Sequence, residues 1–142
     1  MRLPGRRPAT EPRLSVVVPV YRVEQYLAAC LDSILEPTDA PFEVIVVDDG
    51  SPDRSARIAR RYARRDRRVR VVSRPNGGLS AARMTGVEHA RAPFLTFVDS
   101  DDVVDARGLL AALDRLEESE ADYALLPYRQ FRDPDDPSPP PP

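Results

Sequence analysis

Four short runs rich in Val, Ile, Leu and Phe punctuate this chain, at Leu14–Val18, Phe42–Val47, Val69–Ser73 and Phe94–Val98. Each is followed by a longer stretch with apolar residues at helical spacing. After the first come Val23, Tyr26, Leu27, Cys30, Leu31, Ile34 and Leu35, one face of a helix that Pro37 stops. After the second, Ser51-Pro52-Asp53 reads as a helix start with Ser51 as N-cap and Pro52 at the first helical position. That helix, Asp53–Asp66, has a thin apolar face of Ile58 and Tyr62 and many arginines, read as a solvated outer face. Asn76-Gly77-Gly78 is a turn, and Leu79–Ala90 a third helix using Leu79, Ala82, Gly86, Val87 and Ala90. Ala106–Ser119, with Leu109, Leu113 and Leu116, is a fourth, and Tyr123–Pro127 is expected as a fifth strand. β-branched runs alternating with helices predict an α/β fold, a mostly parallel sheet flanked by helices.

The domain is expected to span 14–131, between a Pro- and Arg-rich disordered arm at 1–13 and a disordered tail at 132–142 that ends in polyproline. A net charge of -2 gives no global pull toward nucleic acid, so no nucleic-acid partner is expected. Every positive side chain is Arg; without Lys, P-loop phosphate binding is excluded. One cysteine, Cys30, allows no intrachain disulfide and no Cys-based zinc site, and is read as a small buried residue. The one histidine, His89, is read as a helix-surface residue. No apolar run approaches the ~20 residues of a membrane span. The expectation is a cytoplasmic chain, with peripheral association at the inner face of a membrane left open.

Two of the strand-like runs end in crowded acids, Asp48-Asp49-Gly50-Ser51 and Asp99-Ser100-Asp101-Asp102. In an open parallel sheet, ligands bind outside the carboxyl ends of the strands, and both clusters are expected there. Like charges so close need solvent, backbone N–H groups or a cation. An Asx turn with a helix cap explains each cluster alone; two clusters on one rim suit a divalent metal with a phosphate ligand.

The stretches "SVVVPVYRVEQYLAACLDSIL", "FEVIVVDDGSPDRS", "RPNGGLSAARMTG" and "FLTFVDSDD", in this order over residues 14–105, resemble the nucleotide-sugar-binding half of family-2 glycosyltransferases with the GT-A fold. The resemblance implies a GT-A-type, Rossmann-like sandwich and a nucleotide-diphospho-sugar donor. It also implies a Mg²⁺ or Mn²⁺ cofactor and inverting transfer to an acceptor hydroxyl of unspecified identity. By the same resemblance, Pro19 and Tyr21 border the base, Asp49 accepts a hydrogen bond from it, and Asp48 is structural or near the ribose. Arg83 lies near the donor nucleotide, Asp99 faces the ribose or sugar, and Asp101 ligates the metal. Asp102 is assigned to the following helix N-terminus. Met84 stands where the family often has Asn. No general base is found, and the chain reads as a donor half, truncated after the DxD region. The alternatives are a non-catalytic nucleotide-binding remnant or pseudoenzyme and, lower, a haloacid-dehalogenase-type phosphatase using Asp99 and Asp101. A receiver domain lacks its lysine, and an EF-hand fails because Val104 stands where the loop glycine belongs.

Overall fold

A computed structural model describes residues 11–37 and 39–128. Its elements are β1 (Leu14–Val20), α1 (Leu27–Leu35), β2 (Phe42–Asp48), α2 (Ser55–Arg65), β3 (Val69–Ser73), α3 (Leu79–His89), β4 (Phe94–Phe97) and α4 (Ala106–Ser119). The sheet has order β3-β2-β1-β4 and is parallel throughout. The first two crossovers step outward from β1 in one direction; the third returns across the sheet to place β4 on the other side. Crossovers of constant hand then put α3 on the opposite face. Accordingly, Ala82 of α3 packs on Val17, Ile45 and Val47, whereas α1, α2 and α4 cover Val16, Val18, Val44 and Val46. β1 and β2, enclosed on both faces, are buried along their whole length, which is why they read as unbroken apolar runs.

Several local expectations are revised. α1 begins at Leu27 rather than at Val23, and Tyr26 is exposed. The amides of Val23 and Glu24 are taken by Ser55 Oγ and Asp53 Oδ2, and Arg22 has a left-handed φ of 54°. Ser51 does not cap α2: its N–H donates to Asp48 Oδ1, and Asp53 Oδ1 accepts from Ser55 N at the helix start. α4 is capped by Asp105, whose side chain accepts from the N–H groups of Arg107 and Gly108, and not by Asp102. Leu79 and Val87 are exposed, so the buried face of α3 is only Ala82 and Gly86. Tyr123–Pro127 forms no strand; its side chains face solvent, with Leu125 89% exposed. Arg13, expected in a disordered arm, pairs with Asp114 (2.6 Å) and Glu117 (2.8 Å) of α4. The rest of the expected arm, except Glu11 and Pro12, and the whole tail lie outside the described residues.

A buried carboxylate closes the amino end of the sheet. Glu43 accepts from Ser15 Oγ (2.6 Å), Arg91 N (2.6 Å) and Ala92 N (3.3 Å), and pairs with Arg70 (2.9 Å). Burial alone would raise its pKa, but the Ser15 and Arg91 bonds and the Arg70 charge outweigh burial and lower it. A depressed folded pKa stabilises the fold above the ordinary glutamate value and loses that stability as pH falls through the folded one. Glu43→Gln is therefore expected to flatten the acid side of the stability–pH curve below about pH 4.5, measured by urea unfolding. Unchanged acid sensitivity would refute that role. At the other face, a Cβ on Gly86 would collide with the Val17 side chain. Gly86→Ala should destabilise by about 1–3 kcal/mol in the same assay through overpacking, despite alanine's better helix propensity.

Candidate functional site

The carboxyl ends of all four strands open on one edge. Strands β1 and β4 pair from Leu14↔Phe94 to Val17↔Phe97 and then part. Pro19, which has no N–H to give a ladder, lies two residues past that last pair, buried and in register with Val47. The parting of β1 from β4 is the point where strand order reverses, the usual place for a ligand crevice.

Around this edge the structure places each residue singled out in the sequence. Tyr21 is 43% exposed just beyond β1, with the Arg22 guanidinium 5.5 Å from its ring centroid. Asp48 is buried and holds the turn through Ser51 N at 3.0 Å, the Asx-turn role. Asp49 is buried too, but its carboxylate serves the next loop. Oδ1 accepts from Gly77 N (3.0 Å) and faces Arg74 Nε (3.0 Å); Oδ2 accepts from Gly78 N (2.8 Å) and Asn76 Nδ2 (3.3 Å). Gly50, at φ 74°, lets the chain pass close by: a Cβ there would meet Asn76 N at 2.9 Å. The expected bond from Asp49 to a base therefore has to be added to a carboxylate already engaged on both oxygens.

The second cluster is compensated differently. Arg83 reaches from α3 to Asp99 Oδ1 at 2.7 Å, with its guanidinium carbon 5.5 Å from the Phe97 ring centroid. Its buried Nε has no hydrogen-bond partner among the described residues. Ser100 is buried, while Asp101 and Asp102 are exposed. Burial and the charges of Asp101 and Asp99 push the Asp102 carboxyl up, so the tip of the cluster sits in its own negative field. Asp101 has no hydrogen bond or ion pair among the described residues. Cys30 lies beneath, its Sγ 3.7 Å from the Asp99 carbonyl, and burial pushes its thiol up to about 12; it is a neutral packing group.

No three His, Cys, Asp or Glu side chains among the described residues are grouped to hold a metal. The donor set still suits Mg²⁺ or Mn²⁺ in one way. Such ions commonly take one or two carboxylates and fill their shell from substrate phosphates and water. Asp101, free and exposed in a negative field, fits that arrangement; Asp99, engaged by Arg83, fits it less well.

Sequence reasoning placed Asp49 and Arg83 at this edge but missed their partners. Arg74, Asn76, Gly77 and Gly78 were visible only as a turn, because nothing in their spacing says that a carboxylate from another strand fills it. Likewise Asp53, Ser55 and Glu24, which tie the loop after β1 to the loop after β2, left no signal beyond turn chemistry. Asp49→Ala should take the carboxylate partner from Arg74, leave the Gly77 and Gly78 amides unpaired, and destabilise the chain by about 2–4 kcal/mol by chemical denaturation. Its amide exchange should rise first across 74–80; a uniform rise, or none, would refute the clamp.

Comparison with known proteins bears on this geometry. The family model described as glycosyl transferase family 2 matches residues 15–141. The uncharacterized glycosyltransferase EpsJ of Bacillus subtilis is 44% identical over 111 residues, 78% of this chain and 32% of EpsJ. The glycosyltransferase GlyA of Streptococcus pneumoniae is 40% identical over 121 residues, 85% of this chain and 17% of GlyA. The chain thus spans a third or less of these relatives. Among solved structures, S. aureus TarS in complex with UDP-GlcNAc superposes with a TM-score of 0.69 at 29% identity, covering 85% of this chain and 38% of that one. The mannosyltransferase PcManGT of Pyrobaculum calidifontis, in complex with GDP-Man and Mn²⁺, gives a TM-score of 0.63 at 31% identity, covering 75% and 32%.

Proposed function

This chain belongs to glycosyl transferase family 2, and from that premise we propose that it supplies the donor-binding half of a metal-assisted sugar transfer. The donor is a nucleoside-diphosphate sugar, the acceptor a hydroxyl, and the transfer is inverting by analogy with the family. The observation that carries the proposal is the convergence of the Asp48–Asp49 and Asp99–Asp102 clusters on one edge, beside the β1–β4 parting, with Arg83 bridging α3 to Asp99. TarS was solved with UDP-GlcNAc and PcManGT with GDP-Man and Mn²⁺, ligands of the class this edge would take.

Each residue then has a defined task. Tyr21, above the buried Pro19, borders the base. Asp49 holds the Arg74–Gly78 loop that walls the base site and offers the base an acceptor. Arg83 orients Asp99 toward the ribose or sugar and keeps its charge from adding fully to that of its neighbours. Asp101 would hold Mg²⁺ or Mn²⁺, which would supply Lewis-acid neutralisation of the diphosphate leaving group. No general base is identified among the described residues, so acceptor deprotonation is assigned to no residue here. The haloacid-dehalogenase reading of Asp99 and Asp101 gives way to the family membership. No helix among the described residues is long and apolar enough to cross a membrane.

Nucleotide binding tests the proposal directly. With Mn²⁺ and UDP or GDP at a hundredfold over its dissociation constant, the chain should gain about 2.7 kcal/mol of stability. Asp101→Asn should weaken that binding by at least about tenfold, near 1.4 kcal/mol, and remove its metal dependence while leaving the melting of the free chain unchanged. A variant that binds as tightly as the parent would refute the assignment of Asp101. Binding without hydrolysis or transfer of a UDP- or GDP-sugar would favour the non-catalytic reading.

A further inference from the structure

The outward face of α2 carries a charge that nothing in the fold uses. The inward face is settled: Ser55 and Ala59 are buried, and Ile58, Tyr62 and Ala63 pack on the core. Opposite them, Arg57, Arg60, Arg61 and Arg64 fall within about a third of a turn of one another. Arg65 and Arg67 flank the stripe, and all six are exposed. None of them forms an ion pair among the described residues. The arginines at the two ends, by contrast, are paired, Arg54 with Glu24 and Arg68 with Asp66. Within α2, 57/61, 60/64 and 61/65 are like-charge pairs at i, i+4, which destabilise a helix. The helix itself contains no acid to offset them. The chain as a whole nevertheless has more acids than bases, 23 against 21, and outside 54–68 acids outnumber arginines 22 to 13, so basic charge is concentrated on this helix.

We propose that the Arg57–Arg64 face of α2 docks this protein on an anionic lipid surface. The inference goes beyond the donor-site reading and does not depend on it. The shape of the stripe selects the partner. It lies on the convex outer side of a helix and runs about 11 Å from Arg57 to Arg64, so it presents a strip of charge rather than a concave seat for a single phosphate. A polyanion that wraps, such as a nucleic acid, would also meet the excess of acids carried by the rest of the chain and be repelled. A planar anionic surface meets one side only, and acids on the far side lie beyond the ~10 Å over which salt lets charges act. Arginines held near such a surface each add attraction, falling away within that same distance.

Co-sedimentation of the 142-residue chain with vesicles is the test. Vesicles of phosphatidylcholine alone should leave it in the supernatant. An equal mixture of phosphatidylcholine and phosphatidylglycerol should carry it down at low salt and release it as salt rises. The variant R57Q/R60Q/R61Q/R64Q changes only exposed side chains to another good helix former, and should lose affinity for the mixed vesicles by at least about a hundredfold. Its melting should equal or slightly exceed the parent's, because the like-charge pairs are gone. R107Q/R115Q, which removes two exposed charges from α4, should bind as the parent does. Failure of the folded parent to bind the mixed vesicles would overturn the proposal. So would equal binding by the quadruple variant, or tighter binding to a single-stranded oligonucleotide than to the vesicles. Nucleotide binding by the quadruple variant should be unchanged, which separates this inference from the donor site.

Discussion

Helix α3 is pinned at both ends by carboxylates from β2 and the residue just beyond it. Glu43, at the amino end of β2, gathers Arg91 N, Ala92 N and, through Arg70, the His89 carbonyl at the end of the helix. Asp49, directly after the carboxyl end of β2, gathers Arg74 and the Asn76-Gly77-Gly78 loop that leads into it. The helix needs these clamps because its apolar face is so thin. Ala82 and Gly86 bury little area, and Leu79 and Val87 remain exposed. Polar bonds at the two turns do what side-chain burial does for α1. The consequence falls at mid-helix, where Arg83 is carried to a fixed place beside Asp99. Placement of that guanidinium thus depends on two acids, one at each end of the sheet.

The crowded acids after β4 are compensated one at a time rather than together. Asp99 has a guanidinium; Asp105 has the first amides of α4; Asp101 and Asp102 have only solvent. Compensation by a single preformed ion would instead group three or more ligands, which the described residues do not do. The edge is therefore arranged so that free negative charge survives at its tip alone. An incoming cation with its own anionic partner finds its opening there.

Fold class and the order of elements along the chain were legible because β-branched runs and 3.6-residue spacing both report burial, and burial decides them here. α4 matches its expected span from end to end, and β3 likewise. What failed was local. Tyr26 has helical spacing but lies outside α1, because the amides of Val23 and Glu24 bond to Ser55 and Asp53 some thirty residues away. Val87 has helical spacing but no surface to cover, since the sheet beneath α3 is met by Gly86. Tyr123–Pro127 has strand composition, yet composition cannot supply a neighbouring edge. At the site, the positions of Asp48, Asp49, Asp99 and Asp101 on one rim followed from the strand ends, whereas Arg83 came only from the family resemblance. Their partners did not, because a carboxylate's contacts are set by which loop folds over it, and that is a tertiary fact.

The all-arginine composition takes on meaning in this light. Several paired guanidinium groups join more than one partner. Arg68 binds Asp66 and the Pro37 and Leu35 carbonyls; Arg70 binds Glu43 and the His89 carbonyl; Arg74 binds Asp49 and the Thr85 hydroxyl. A planar fork with several fixed donors can cross-link two elements in this way, and a lysine ammonium, a point charge on a flexible stem, does so less well. These forks cluster at the turns bordering β3 and α3, where apolar burial is thinnest. Two groups of arginine stand out by place. One is spent internally, bracing the elements that the core holds least; the other, on the outward face of α2, has no internal work. Elsewhere among the described residues the exposed arginines without an ion pair stand singly, at Arg22, Arg91, Arg107 and Arg115, whereas six fall within and just beyond one helix.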